Sequence, residues 1–264
     1  MLSGPPGRTQ GPSGFAVVDL EATGSSSRRH RVLELAVVLL DRELEPQGEF
    51  STLVDPQGPV GPTHIHGIEP GHLGGAPRFA GVAGRLLGLL RGRVLVGHNV
   101  GCDRAFLAAE YARVGLRLPA VPELCTMRIA AERAERARRA EPAALPGLAD
   151  PSALPDPSGR AIPGRGLSLA ACAAEAGLLA VTDWRPHTAL GDARTTAALF
   201  AHYAPALPGL GERLAHAAAL RWPEPSGVLA AADALWMRRG ADPAVRPANE
   251  PVRRSVPNVR HGGA

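Results

Sequence analysis

An apolar run that ends in two acids constrains this chain most: Phe15-Ala16-Val17-Val18-Asp19-Leu20-Glu21. Aromatic and β-branched residues at this density favour an extended, buried segment. Side chains alternate along a strand, so Asp19 and Glu21, two positions apart, share one face. Two anions beside a buried strand repel each other and lose hydration, so they need a compensating cation. A hard divalent ion such as Mg²⁺, which prefers oxygen ligands, answers that need. The competing reading of these residues alone is a strand running out into a solvated turn with two surface acids.

The rest of the chain gives that strand a setting. Residues 15–20, 32–40 and 49–54 are short apolar or alternating runs separated by loops of Gly, Ser, Arg and Pro, which read as an antiparallel meander. Residues 78–90 place Phe79, Val82, Leu86 and Leu90 at near-helical spacing before Gly92. Residues 94–96 form a short buried-type strand, and 103–115 a second helix with Phe106, Leu107, Tyr111 and Val114, stopped at Gly115. Further helices are expected over 126–139, 168–176 with Ser168 as N-cap, 190–203, 210–221 and 226–239. Strands first, then β-α-β-α and later helices, predict an α/β fold: a mixed sheet flanked by helices with a C-terminal helical extension.

The 264 residues, 45% of them hydrophobic, suffice for one full core plus appendages, and a 20% charged fraction is too low for disorder throughout. The expected organisation is a flexible leader (1–14), a core domain (15–205) interrupted by a Pro-, Gly- and Ala-rich insertion (140–166), the helical extension (206–240) and an Arg- and Pro-containing tail (241–264). No apolar run reaches the ~18 residues of a membrane helix, and the first 14 residues have no apolar stretch of signal-peptide type. Cys102, Cys125 and Cys172 are odd in number and widely spaced, which suits a reducing cytoplasm better than a disulfide framework. There is no lysine, so all 29 cationic side chains are arginines.

Two later segments resemble the first in chemistry. Gly97-His98-Asn99-Val100-Gly101-Cys102-Asp103 follows the short strand and opens a helix, where Asp103 is either a first-turn acid favoured by the helix dipole or a metal ligand. His187-Thr188-Ala189-Leu190-Gly191-Asp192 runs into another helix, with Asp192 at the edge of the stripe made by Leu190, Ala193, Ala197 and Phe200. His187 stands on the loop before it, where an imidazole can exchange protons near neutral pH.

Strand-borne Asp19-x-Glu21, the mid-chain His98-Asn99-x-x-x-Asp103 and His187-x-x-x-x-Asp192 occur in the order of one family. Over residues 15–203 the chain resembles the DEDDh 3′–5′ exonucleases, the group that includes the epsilon proofreading subunit of the bacterial replicative polymerase, oligoribonuclease and RNase T. Thr63-His64-Ile65-His66-Gly67-Ile68 with Ala76-Pro77-Arg78-Phe79, Cys125-Thr126 and Ser168-Leu169 extend the likeness. The resemblance implies a ribonuclease-H-like five-stranded mixed sheet. It implies that Asp19, Glu21, Asp103 and Asp192 hold two Mg²⁺ or Mn²⁺ ions, and that His187 takes the proton of the attacking water. Two such cations can clamp the attacking and leaving oxygens of phosphodiester hydrolysis.

By the same resemblance Thr23 and His66 lie where the family touches the terminal nucleotide. His98 and Asn99 match a signature beside the site and either contact substrate or organise the loop; His64 is expected to face solvent. The chain departs from the family at Ala22, where a second threonine is common, and at Cys102, where phenylalanine is usual. The insertion covers the cleft or is a tolerated surface loop.

The expected partners are 3′ ends of single-stranded nucleic acid, DNA favoured over RNA, together with a polymerase or repair protein and no membrane. An exoribonuclease of the oligoribonuclease or RNase T kind and an inactive nucleic-acid-binding module are the competing functions. Glutamine occurs only at positions 10, 47 and 57, so the C-terminal region has no Gln-led clamp-binding motif. Residues 238–264 hold six arginines against Asp242 and Glu250, which accounts for the whole formal charge of +4 and leaves 1–237 neutral. Such a tail gives a salt-sensitive hold on phosphates or only solubility.

Overall fold

The expected meander forms from β1 (Gly14–Ala22), β2 (Val32–Leu40) and β3 (Pro46–Leu53), paired antiparallel. On the other side of β1, β4 (Arg93–Gly97) and then β5 (Glu123–Cys125) add in parallel, giving the order β3-β2-β1-β4-β5. The computed structural model describes residues 14–140, 166–179, 184–227 and 229. The expected leader except Gly14, which opens β1, nearly all of the insertion, most of the 226–239 helix and the tail lie outside them.

β1 and β2 are apolar on both faces because helices cover both. Ala16, Val18, Leu35 and Val37 point into one core with Phe79, Val82 and Leu86 of α2 (Phe79–Leu90) and Phe106, Leu107 and Tyr111 of α3 (Val100–Arg113). α1 (Thr63–His66) is a single short turn before α2. Phe15, Val17, Ala36 and Val38 point the other way, onto α6 (Ala189–Tyr203) and α7 (Leu210–Ala219). Ala189, Ala193 and Ala197 recur every four residues on α6, so the helix lies close to the sheet, while Phe200 meets Phe15 edge to face at 4.8 Å. α4 (Thr126–Ala140) and α5 (Leu169–Glu175) close a smaller cluster of Ile129, Cys172, Leu199 and Tyr203. Ser168 caps α5 as expected, accepting from the Ala171 amide at 3.2 Å.

The sequence expectations need several corrections. β1 runs two residues past the expected 15–20, through Glu21 to Ala22, so it carries both acids within its length. β5 has three residues, too few for an alternating pattern, and α1 has only four. α3 begins at Val100, because Asn99 takes a left-handed conformation (φ 69°) that breaks from β4 straight into the helix. Among the described residues no helix is long and apolar enough to cross a membrane.

β4 pairs with β1 only as far as Val17 opposite Val96. Beyond that point β1 runs on without its parallel neighbour and opens a notch at the end of the sheet. Asp19 and Glu21 lie there.

Candidate active site

β1, β2, α3 and α6 bring their acids to this notch. Antiparallel register sets Asp19 opposite Ala36 and Glu21 directly opposite Glu34 of β2, on the α6 face of the sheet. Asp103, buried in the first turn of α3, accepts its own amide and that of Leu20. Asp192 occupies the first turn of α6.

The electrostatics follow from this crowding. Burial, reinforced by the charges of Asp103, Asp192, Glu21 and Glu34, holds the Asp19 carboxyl well above the usual range. Burial, then Asp192 and Glu34, push Glu21 up to about 7. Burial raises Asp103 to about 8 against the pull of its two amides, and Glu21 adds to the rise. Burial also raises Asp192 and Glu34. Among the described residues no arginine pairs with any of the five. Carboxylates sharing a desolvated pocket without cations form a donor set that a hard divalent ion satisfies.

The loop before α6 finishes the cluster. His187 is exposed and held at φ 60°, and its amide donates to Asp192 Oδ2 at 3.1 Å. The indole of Trp184 donates to Asp192 Oδ1 at 2.6 Å. Thr188 caps α6 through the Gly191 amide at 3.3 Å. A Cβ on Gly191 would stand 2.5 Å from the Arg185 carbonyl oxygen, so only glycine lets the loop fold back this tightly. Glu21, His187 and Asp192 each offer one ligand atom, all within 4.8 Å of one another.

The exonuclease family model matches residues 16–200, a span that holds all of these residues. The chain belongs to the RNase T exonuclease family. It is 34% identical over 98 residues to a DNA polymerase III epsilon subunit from Treponema pallidum, which covers 36% of this chain and 45% of that one. It is 30% identical over 201 residues to a DNA polymerase III epsilon-like protein from Rhodobacter capsulatus, covering 75% of this chain and 24% of the relative. The chain thus spans less than half the length of the curated relatives it matches. Exonuclease I from Methylocaldum szegediense superposes with a TM-score of 0.55 at 22% identity, over 74% of this chain and 41% of that one. That likeness is one of fold.

Within this exonuclease-family fold the other sequence-derived candidates divide. Thr23 keeps to the loop after β1, its hydroxyl accepting the Arg31 amide at 3.0 Å. His66 is buried, with one ring nitrogen on the Val60 carbonyl at 3.2 Å and the other on the Ile68 amide at 3.0 Å. His98 likewise uses both nitrogens, on Thr126 Oγ1 at 2.9 Å and the Leu167 carbonyl at 2.7 Å, and burial lowers its pKa. These bonds tie the β4–α3 junction to α4 and to the residues before α5, which is the loop-organising alternative for His98. Asn99, just before α3, and Cys102, in its first turn, are exposed, and His64 faces solvent as expected.

Two residues at the notch escaped the sequence reading. Glu34 accepts the Ala189 amide at 3.0 Å and so joins β2 to the first residue of α6. Its signal was available: it is the one charged residue in Val32-Leu-Glu-Leu-Ala-Val-Val-Leu-Leu40. Trp184, in an irregular loop, gives no periodic signal at all.

Proposed function

We propose that this chain is a divalent-metal-dependent 3′–5′ exonuclease that removes nucleotides from single-stranded 3′ ends, DNA in preference to RNA. The observation that carries the reading is the convergence of Asp19, Glu21, Asp103 and Asp192 at one sheet end, desolvated and, among the described residues, without a pairing arginine. The names of the relatives support it: two are DNA polymerase III epsilon or epsilon-like proteins, and exonuclease I, a neighbour in fold, has been solved in complex with a dT13 oligonucleotide. The same names favour a polymerase or repair protein as partner.

The four carboxylates are the residues that would hold the ions, since oxygen donors of this charge suit Mg²⁺ or Mn²⁺. Bound there, two divalent ions would offset the negative charge that develops on the attacking and leaving oxygens. Asp19 and Asp103, on the buried side, fix the donor set rigidly. Asp192 presents an oxygen oriented by Trp184 and by the His187 amide. His187, exposed at the rim beside Glu21 and Asp192, is placed to take the proton of the attacking water, a task suited to imidazole. By the family resemblance Thr23, in the loop after β1, would contact the terminal nucleotide, as would His66 if its ring is released from the Val60 carbonyl. Asn99, exposed before α3, would lie beside the site.

The test is nucleotide release from 5′-labelled single-stranded DNA with Mg²⁺, set against Asp19→Ala and His187→Ala. Stepwise shortening from the 3′ end, lost in Asp19→Ala and slowed in His187→Ala, is the expected result. Full turnover by His187→Ala would remove the general-base assignment, and no release above Asp19→Ala would remove the enzyme. The family name itself favours RNase T-like action on RNA as a second reading. Faster release from a short RNA than from DNA of the same length would establish it.

A further inference from the structure

Away from the acids, a cavity of about 510 Å³ opens beside the β5 edge of the sheet. Arg104 and Ala108 of α3, Arg117 to Ala120 of the α3–β5 connection, and Arg221 beyond α7 line it. Its size is that of an ordinary ligand site. Its chemistry is cationic. Glu123 holds Arg104 at 2.7 Å, and the Glu123 carbonyl also receives Arg213 at 3.4 Å. Arg117 and Arg221 are exposed and make no hydrogen bond or ion pair among the described residues. Three guanidiniums around the cavity thus meet one carboxylate, in a chain whose first 237 residues are neutral overall. The charge surplus is local.

Its place matters as much as its sign. Arg104 follows Asp103 directly, so the two side chains diverge by about 100° around the same helix. Ala108 lies one turn further, about 7.5 Å along the axis from Asp103. The cavity therefore begins on the helical face next to the one that feeds the acid notch. A strand whose 3′ end sits among the acids and whose body crosses α3 meets Arg104 first, then Arg117 and Arg221.

We propose that this cavity binds backbone phosphates of single-stranded nucleic acid upstream of the terminal nucleotide; the inference rests on the exonuclease reading above. Guanidinium forks suit phosphate oxygens, and Leu118 and Pro119 offer only apolar surface, with no aromatic platform to read a base. The hold is therefore sequence-independent, salt-sensitive and dependent on strand length.

Fluorescence anisotropy on the full chain carrying Asp19→Asn, which stops turnover during the measurement, tests this. Strands of about 15 nucleotides, within the usual site sizes of single-strand binders, are compared with a trinucleotide across a salt series. Arg117→Ala and Arg221→Ala should each reduce the slope of log affinity against log salt by about 0.7 on the long strand. The double variant should bind the long strand about tenfold more weakly, with trinucleotide binding unchanged. Release of nucleotides from the trinucleotide, measured with Asp19 intact, should also be unchanged. An unaltered slope overturns the proposal, as does equal weakening on both lengths. Arg117→Glu, whose thermal melting reports folding separately, should weaken long-strand binding further; binding equal to the parent also overturns it. Failure of the Asp19-intact protein to release nucleotides would instead remove the exonuclease reading, while the salt slopes still report on the cavity.

Discussion

One helix carries two buried acids that the fold treats in opposite ways. Asp103 and Glu110 lie seven residues apart on α3, two turns along nearly the same face. Glu110, 1% exposed, receives Arg31 Nε at 2.7 Å, Arg31 Nη2 at 2.9 Å, the Val32 amide at 3.2 Å and Arg113 Nη1 at 3.3 Å. Asp103 receives two amides and faces Asp19 and Glu21. A buried carboxylate that serves the fold is surrounded by its own cations, because an unpaired buried charge costs several kcal/mol. On the function proposed above, a carboxylate left among other carboxylates is the one that would take a cation from outside.

Exchanging the two environments breaks this contrast most sharply. Asp103→Asn should lower Mg²⁺-dependent turnover by on the order of 10³-fold, since several kcal/mol of charge stabilisation passes through this position. The same change should raise the melting temperature of the protein in chelator, because one of the crowded acids no longer ionises. Glu110→Ala should act in reverse, costing about 3 kcal/mol or more of stability by leaving Arg31 unpaired in a largely buried place. Below its melting temperature this variant should keep its turnover. A destabilised Asp103→Asn, or an inactive but folded Glu110→Ala, would erase the distinction.

The sequence was legible for one half of this contrast and mute for the other. The period of a strand put Asp19 and Glu21 on one face, and Asp103 and Asp192 stood in first turns after loops that also carry histidine. Each segment alone left a surface-acid reading open; their order, in its resemblance to the exonuclease family, joined them. The signal within each segment is local. Arg31 and Glu110 are 79 residues apart, and nothing in either neighbourhood announces the other. The His98 contacts with Thr126 and Leu167 span 28 and 69 residues and were equally hidden. Strand register, set only when β1 and β2 pair, decides that Glu34 opposes Glu21. β5 was missed because three residues carry no period, and Trp184 because a loop has none.

The acid notch also predicts a pH dependence. Glu21 at about 7 and Asp103 at about 8 lie above the ~4 of an unfolded carboxyl, and Asp19, Asp192 and Glu34 are shifted in the same direction. Between about pH 4 and pH 8 the folded protein therefore binds more protons than the unfolded chain, so stability falls as pH rises through that window. In chelator, melting should be highest near the acid end and decline toward pH 8. Saturating Mg²⁺ should flatten the decline, since the carboxylates then need no proton to offset their charge. A profile in chelator that rises with pH would mean that these acids are compensated as Glu110 is.

Glu34 tests whether every acid at the notch belongs to the same class. Its bond to the Ala189 amide marks it as a strut that fixes the first residue of α6 and, through it, Asp192 and the His187 loop. Glu34→Ala should then lower kcat about tenfold, the worth of a buried hydrogen bond to a charged group, with little change in KM. Glu34→Gln, which retains an acceptor oxygen, should recover most of the loss. If the glutamine variant is as poor as the alanine one, the charge matters and not the acceptor. Glu34 would then join Asp19 and Asp103 as part of the cation-seeking set.

Trp184 carries the smallest expected effect and bears on the sharpest point of the comparison. Its indole gives Asp192 a neutral donor, as the Leu20 and Asp103 amides do for Asp103. Such donors favour the charged carboxylate without neutralising it, which keeps the oxygen ready for an ion. Trp184→Phe removes this bond and keeps an aromatic ring. Burial then acts on Asp192 less opposed, and its pKa rises further. The acid limb of the pH–rate profile should move toward higher pH, and turnover at neutral pH should fall about fivefold, near 1 kcal/mol. Addition of Mn²⁺, which competes better than Mg²⁺ for the same donors, should recover part of the loss. An acid limb that stays in place would show that the indole only fills space, and that the His187 amide and the nearby histidines His187 and His98 oppose the effect of burial on Asp192 without it.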